Sequence, residues 1–220
     1  RAKVEQLRPF LPQAQPTVVE VGSFVGGFLA AARERGWNAI GVDPGEEVTA
    51  FCRERGLEVM RSSAADAPIA AGTADCVAIW NTFDQLPNPR PTLAAVRRWL
   101  RPRGLLVLRV PNGACYRVLN RALRRASPRW RRPLLAAMAW NNLLAFPYLW
   151  GYSPTSLDSL LAANGFDRIH LQPDTLTRLA DETTKRWAVW EERLCKASWR
   201  AMARWKADTA PWFDAIYRIR

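Results

Sequence analysis

The run TVVEVGSFVGGFLA, residues 17–30, constrains this chain more than any other stretch. Thr17, Val18 and Val19 favour a strand. Gly22, Gly26 and Gly27 follow, and an apolar helical pattern starts at Phe28 and stops before Gly36, a suitable C′ residue. Strand, glycine turn and helix in that order set unpaired backbone N–H groups beside a bend where no Cβ intervenes. Taken alone, such a turn is explained as well by tight strand-to-helix packing as by a nucleotide-like guest. A second strand, Trp37 to Asp43, then closes on an acid about twenty residues past the turn, the spacing at which a βαβ unit offers a carboxylate to ribose hydroxyls.

The same stretch resembles motif I of the class I S-adenosylmethionine-dependent methyltransferases, in particular the small-molecule members of type 11 or 12. Their pattern is acid-x-Gly-x-Gly-x-Gly, followed by a strand closing on an acid. Glu20, Gly22 and Gly26 take the acid, first-glycine and last-glycine positions, while Phe24 stands where the middle glycine is usual. The Gly-x-Gly-x-x-Gly spacing of a dinucleotide-binding dehydrogenase is absent counting from Gly22. The resemblance implies S-adenosyl-L-methionine as cofactor and S-adenosyl-L-homocysteine as product. Gly22, Ser23, Phe24 and Gly26 would lie under the methionine part, with Asp43 and Pro44 at the ribose. It also implies an α/β, Rossmann-like fold: a seven-stranded, mostly parallel sheet with helices on both faces. Onto that frame the residues themselves add a helical lid inserted after strand 5 and a long helix between strands 6 and 7, larger than the usual hairpin there.

The elements beyond Asp43 fit that frame. A helix over 46–55 leads to a short third strand, Leu57 to Met60. Ser63, Ala64 and Asp66 fall in the loop that would reach the adenine, with Ser63 where the family commonly has an aspartate. Ala74 to Asn81 is an apolar fourth strand of the kind buried on both faces. The segment Thr82 to Pro89 resembles the family's loop after strand 4, with Asp84-Gln85 replacing the usual Glu-His; Asn81 and Phe83 join the cofactor candidates there. A helix over 91–100 turns through Pro102-Arg103-Gly104 into strand 5, Leu105 to Val110. Open α/β sheets bind ligands beyond the carboxyl ends of their strands, which is where all these loops fall.

Length and composition suit a single domain with a sizeable core: 220 residues, 49% hydrophobic. Residues 1–16 read as a short lead-in helix punctuated by Pro9, Pro12 and Pro16. No apolar span reaches eighteen residues, which argues against a transmembrane helix. The chain opens on Arg1 rather than a methionine, which leaves targeting unread; the expected compartment is the cytoplasm. Cys52, Cys76, Cys115 and Cys195 have neither metal-ligand nor disulfide-framework spacing, and read as isolated thiols with no metal implied. His170, alone on a strand, reads as structural.

The net charge of +12 is concentrated in one region: between Asp84 and Asp158 there are thirteen arginines and no acid. Such a field favours phosphate-bearing partners, although most of these arginines would be explained as a solvated helix face. The region includes a predicted helix over 114–126, with Cys115, Val118, Leu119, Ala122, Leu123 and Ala126 on one stripe. A basic knot, Arg129 to Pro133, then precedes a second helix, Leu134 to Phe146. This insertion is expected to act as the lid, with Asp84, Asn112, Tyr116, Trp140, Asn141, Tyr148 and Tyr152 as candidates to contact the acceptor. A capped helix over 154–164 and strand 6, Phe166 to Leu171, follow. A helix from Thr175 to Lys206 carries Leu176, Leu179, Thr183, Trp187, Trp190, Leu194, Ala197, Ala201 and Trp205 at spacings of three and four, and Glu182/Arg186 and Glu192/Lys196 as i,i+4 pairs. That stripe is expected to pack within the chain. A homodimer contact is a second option, and a lipid surface is disfavoured by the acids at 181, 182, 191 and 192. Residues 211–220 read as the antiparallel seventh strand.

The reaction implied is in-line displacement at the sulfonium methyl. Asp84, Tyr116 and Tyr152 are the candidates for a base if the acceptor is oxygen. Neither an Asn-Pro-Pro-Tyr-type signature nor a cysteine-and-base pair is present, which favours a small-molecule or glycan-like acceptor methylated on O or N; the arginines of the lid would suit an anionic one. RNA methylation through the basic lid is the alternative, and a catalytically degenerate binding or assembly protein the non-enzymatic one.

Overall fold

The computed structural model describes residues 1–144, 148–174, 184–205 and 210–220, the last four residues of the third segment by backbone alone. Seven strands form one sheet: β1 (Thr17–Val21), β2 (Asn38–Asp43), β3 (Glu58–Arg61), β4 (Ala74–Trp80), β5 (Leu100–Pro111), β6 (Phe166–Asp174) and β7 (Trp212–Ile219), in the order β3-β2-β1-β4-β5-β7-β6. The first five run parallel, and β7 lies antiparallel between β5 and β6. The mostly parallel sheet and its terminal antiparallel strand therefore match the expectation from sequence.

Helices cover both faces. The period-two side-chain alternation of a strand divides β4 between them. Cys76, Ala78 and Trp80 pack with Val4 and Leu7 of α1 (Ala2–Leu7), Leu29 and Ala32 of α2 (Gly27–Glu34) and Cys52 of α3 (Glu46–Glu54). Val77 and Ile79 pack with Leu93, Val96 and Trp99 of α4 (Pro89–Trp99) and with Leu157 and Leu161 of α7 (Pro154–Ala163). Complete burial of one such aliphatic side chain contributes about 1.5–3 kcal/mol. The start of α7 carries the Ser153/Ser156 capping box that stops the preceding loop.

The insertion between β5 and α7 departs from the sequence expectation. Its helices are α5 (Gly113–Arg125) and α6 (Pro128–Ala139). The basic knot is thus the first part of α6: Pro128 takes N1, where its missing N–H costs nothing, and Pro133 sits within the helix. The predicted helix to Phe146 instead ends before Asn141, and residues 145–147 lie outside the described residues. On α5, Cys115 and Leu119 are buried, but Val118 and Ala122 of the predicted stripe are exposed. A separate small core unites Cys115, Leu119, Met138 and Leu143 with Trp199 of α8 (Arg186–Trp205).

The tail departs further. Thr184 and Lys185 are not helical, so the described helix begins at Arg186, whereas Leu176, Leu179, Glu182 and Thr183 lie outside the described residues. The face of α8 that packs carries Ala188, Trp199 and a buried Glu192–Lys196 ion pair. Trp187, Trp190 and Leu194, expected to be covered, are exposed at 58%, 66% and 69%. The predicted i,i+4 pairing of Glu192 with Lys196 is present, but inside rather than on the surface.

Candidate active site

The turn after β1 is held by its own backbone. Gly22 N–H donates to the Val42 carbonyl and Gly26 N–H to that of Ser23, both at 2.8 Å. Gly22 and Gly26 have φ of +73° and +72°, as only glycine adopts without strain. Phe24, in the middle-glycine position, also enters the left-handed region at φ +45°; its side chain points outward, 65% exposed, so the turn closes without it. The conformation is fixed from the next strand: Phe24 N–H donates to Asp43 Oδ2 and Gly45 N–H to Asp43 Oδ1, each at 2.9 Å. Asp43 therefore faces the glycine bend, and each of its oxygens keeps capacity for a further donor.

Glu20 and Ser23 lie beneath this rim. Both are buried, and Glu20 Oε2 and Ser23 Oγ have no hydrogen-bond partner among the described residues. Burial, helped by the charge of Asp43, raises the Glu20 carboxyl well above its ordinary range. Two acids together at the end of β1 and β2, one with an orphaned oxygen, could hold a guest bearing hydroxyls and positive charge, as an adenosyl sulfonium amino acid does.

The packing also shows why Gly22 must be glycine. A Cβ there would fall 2.3 Å from Thr82 Oγ1, whereas a Cβ on Gly36, at φ +77°, meets nothing within 4 Å. Gly36→Ala should therefore cost only the left-handed backbone penalty of about 1–2 kcal/mol, and Gly22→Ala at least twice the Gly36→Ala value, read from urea unfolding of both variants. Equal losses would remove Thr82 from the account. Sequence reading missed Thr82, since a threonine after a strand gives no signal of its own.

Of the adenine-side candidates, Ser63 and Asp66 are exposed and joined, Ser63 Oγ donating to Asp66 Oδ2 at 2.6 Å; Ala64 is buried and Pro44 exposed. Phe83 is fully buried against Tyr152, ring centroids 5.5 Å apart. Asn81 adopts φ +58° and accepts from Arg109 Nη1 at 2.9 Å through Oδ1. Arg109 in turn pairs with Asp174 and Asp214, which Lys3 also reaches. This network ties Asn81 to α1, β5, β6 and β7. The signal for it was present: Arg109 is a cation inside the apolar run LLVLRV.

Asp84 is fully buried, and neither of its carboxylate oxygens has a hydrogen-bond partner among the described residues. Its backbone carbonyl accepts from the N–H groups of Leu149 and Trp150, both at 3.0 Å, which binds the end of the insertion to the loop after β4. Burial pushes its carboxyl up to about 6. Burial and then the Asp84 charge push Tyr152 up to about 12 and raise Tyr148 as well. Tyr152 is thus held as a phenol at neutral pH.

Beside these groups lies a cavity of about 280 Å³ lined by Asn112, Gly113, Tyr116, Leu143, Tyr148 and Gly151, among others. Tyr116 and Tyr148 are thus brought together. Asn112 is there too, but its Oδ1 caps α5 through Ala114 and Cys115 N–H while its Nδ2 donates to the Ala210 carbonyl. Asp84, Trp140, Asn141 and Tyr152 do not line this cavity. Trp140 Nε1 donates to Glu191 on α8 at 2.9 Å; Asn141 is buried, its carbonyl accepting from Trp212 Nε1 at 2.7 Å.

A family model described as a methyltransferase domain matches residues 1–171. The chain belongs to that family. It is a class I S-adenosylmethionine-dependent methyltransferase, with S-adenosyl-L-methionine as cofactor. Among solved structures, the methyltransferase is similar to an S-adenosylmethionine-dependent methyltransferase from Mesorhizobium loti, 17% identical over 99% of this chain and 98% of that one, with a TM-score of 0.64. A counterpart from Archaeoglobus fulgidus is 18% identical over 99% and 93%, TM-score 0.62. Another from Aquifex aeolicus is 14% identical over 99% and 89%, TM-score 0.59. No curated protein matches the chain.

Proposed function

We propose that this methyltransferase methylates a small molecule on oxygen or nitrogen, with Asp84 as the proton acceptor. The observation that carries this reading is the Asp84 carboxyl: buried, without a hydrogen-bond partner among the described residues and pushed up to about 6, its charge acting on Tyr148, which lines the cavity. A carboxylate kept dry and without donors costs stability, and such sites are where a base is tuned toward neutrality.

The bound cofactor supplies an electrophilic methyl on a sulfonium. Asp43, which keeps the turn closed through Phe24 and Gly45, would accept hydrogen bonds from the ribose hydroxyls. Glu20 would offer its orphaned oxygen to the ammonium of the methionine part. Tyr116 and Tyr148 orient the acceptor in the cavity. A bound cofactor would supply the methyl group and leave with the electrons of its carbon–sulfur bond, and Asp84 would take the proton that the acceptor gives up. Orientation of this kind can remove about 7–11 kcal/mol of barrier in favourable cases. A cavity of about 280 Å³ suits an acceptor the size of a sugar or a phenol rather than a polymer.

The test has two stages. Calorimetry is expected to show S-adenosylmethionine and S-adenosylhomocysteine binding at micromolar concentrations; absence of binding at millimolar cofactor would dismiss the enzymatic reading. Transfer of labelled methyl to panels of sugars, phenols and amines, against an RNA panel, then separates the acceptor classes. Label entering RNA alone would replace the small-molecule assignment.

A further inference from the structure

The outward face of α8 is apolar and basic. Over Arg186 to Ala201, the side chains on that face include Trp187, Trp190 and Leu194, with Arg186, Arg193 and Arg200 along one edge at intervals of seven residues. At 100° per residue the three arginines fall within about 40° of one another, and the apolar three lie together beside them. The two acids in this stretch face elsewhere: Glu191 accepts from Trp140, and Glu192 is buried against Lys196. The objection that sequence raises to a lipid surface thus falls, for 191 and 192, on residues turned toward the protein. Arg186, Arg193 and Arg200 have no acidic partner among the described residues, and Arg193 lies over the Trp190 ring at 5.5 Å.

The helices against which α8 packs are of the same character. Between Gly113 and Ala139 there is no acid, Arg121, Arg125 and Arg132 are exposed, and Trp130 is 58% exposed. A stable interior or an ordinary solvated helix does not need two tryptophans and a leucine in water beside a row of arginines.

We propose that this face docks the methyltransferase on an anionic lipid surface, α8 lying in the interface with Trp187, Trp190 and Leu194 at the acyl boundary and the arginines at the headgroups. Charge complementarity selects the occupant. A second copy would bring the same row of arginines against itself, and an RNA-binding surface would set its aromatics between the cations for stacking rather than gather them with a leucine on one side. None of the described helices is long and apolar enough to cross a membrane, so the attachment is peripheral. The inference does not depend on which acceptor is methylated.

Sedimentation of the full chain with vesicles tests it. Binding to vesicles with about one third phosphatidylglycerol should be on the order of a hundred-fold tighter than to pure phosphatidylcholine, and weakened by salt. The triple variant Arg186→Gln, Arg193→Gln, Arg200→Gln should lose that roughly hundred-fold preference, while Trp187→Ser with Trp190→Ser should lower binding to anionic vesicles about ten-fold or more. All five positions are exposed, and thermal melting and S-adenosylmethionine titration of both variants should match the parent. Equal binding to both kinds of vesicle, binding to neither, or binding unchanged in the variants would overturn the proposal. So would binding to single-stranded RNA, but not vesicles, that the same substitutions abolish.

Discussion

Asp43→Ala is expected to raise the dissociation constant for S-adenosylmethionine by about a hundred-fold or more. Two losses combine. The ribose hydroxyls lose a charged acceptor, worth about 1.5–3 kcal/mol per hydrogen bond, and each 1.4 kcal/mol is a factor of ten. The Phe24 and Gly45 N–H groups lose the oxygens that they reach at 2.9 Å, so a turn with Phe24 at φ +45° is no longer held shut before the ligand arrives. Asp43→Asn retains one carbonyl oxygen and should fall between the variant and the parent. The side chain is only partly buried, so the melting curve of Asp43→Asn should stay near the parent's while calorimetry records the weaker binding. An affinity within three-fold of the parent for Asp43→Ala would move the ribose contact elsewhere.

This result bears on why one half of the site was legible in sequence and the other was not. The strand order, the glycine turn and the acid at the end of β2 are local patterns: Gly22, Gly26 and Asp43 each follow from backbone periodicity within a single βαβ unit. Asp84 could be placed at the rim by the same reasoning. Its lack of partners could not, because that depends on the chain between Leu149 and Tyr152 folding back over it. Arg109 and Asn81 show the same limit, since their pairing joins residues 28 apart in sequence to acids on two later strands.

The tail exposes a different weakness. Spacings of three and four define a stripe but not which side of it is covered. On α8 the Trp-rich stripe has the stronger hydrophobic pattern, yet the helix packs through Ala188 and Trp199 with Glu192 and Lys196 neutralising each other beside them. A buried i,i+4 ion pair lets a face that reads as polar go inward. Trp140 was misplaced for a related reason: its indole N–H finds Glu191 on α8, an acceptor that no local pattern reveals.

Asp84→Asn should trade activity for stability. The folded-state carboxyl is raised from 3.8 to about 6, so the native protein holds its proton where the unfolded chain has released it. Stability from this group is therefore greatest below pH 4, declines as pH rises toward 6, and is level above that. At about 1.36 kcal/mol per pH unit, the ionised form costs roughly 2–3 kcal/mol at pH 8. Asparagine escapes that cost, so urea unfolding at pH 8 should show the variant more stable by about that amount, the gap closing toward pH 4. Methyl transfer should move the other way. For an oxygen acceptor the parent's kcat/KM should rise through about pH 6 to a plateau, and the variant should lose both that inflection and about a hundred-fold or more in rate. A variant that gained stability while keeping rate and pH profile would leave Asp84 as a strained structural acid and pass the base to a group on the acceptor itself. Loss of rate without gain in stability would instead mean that the carboxylate has partners in the folded enzyme, contrary to its two unbonded oxygens. Only a buried acid that serves the reaction predicts both changes together, because the desolvation that destabilises the fold is the same one that raises the carboxyl to where it can take a proton.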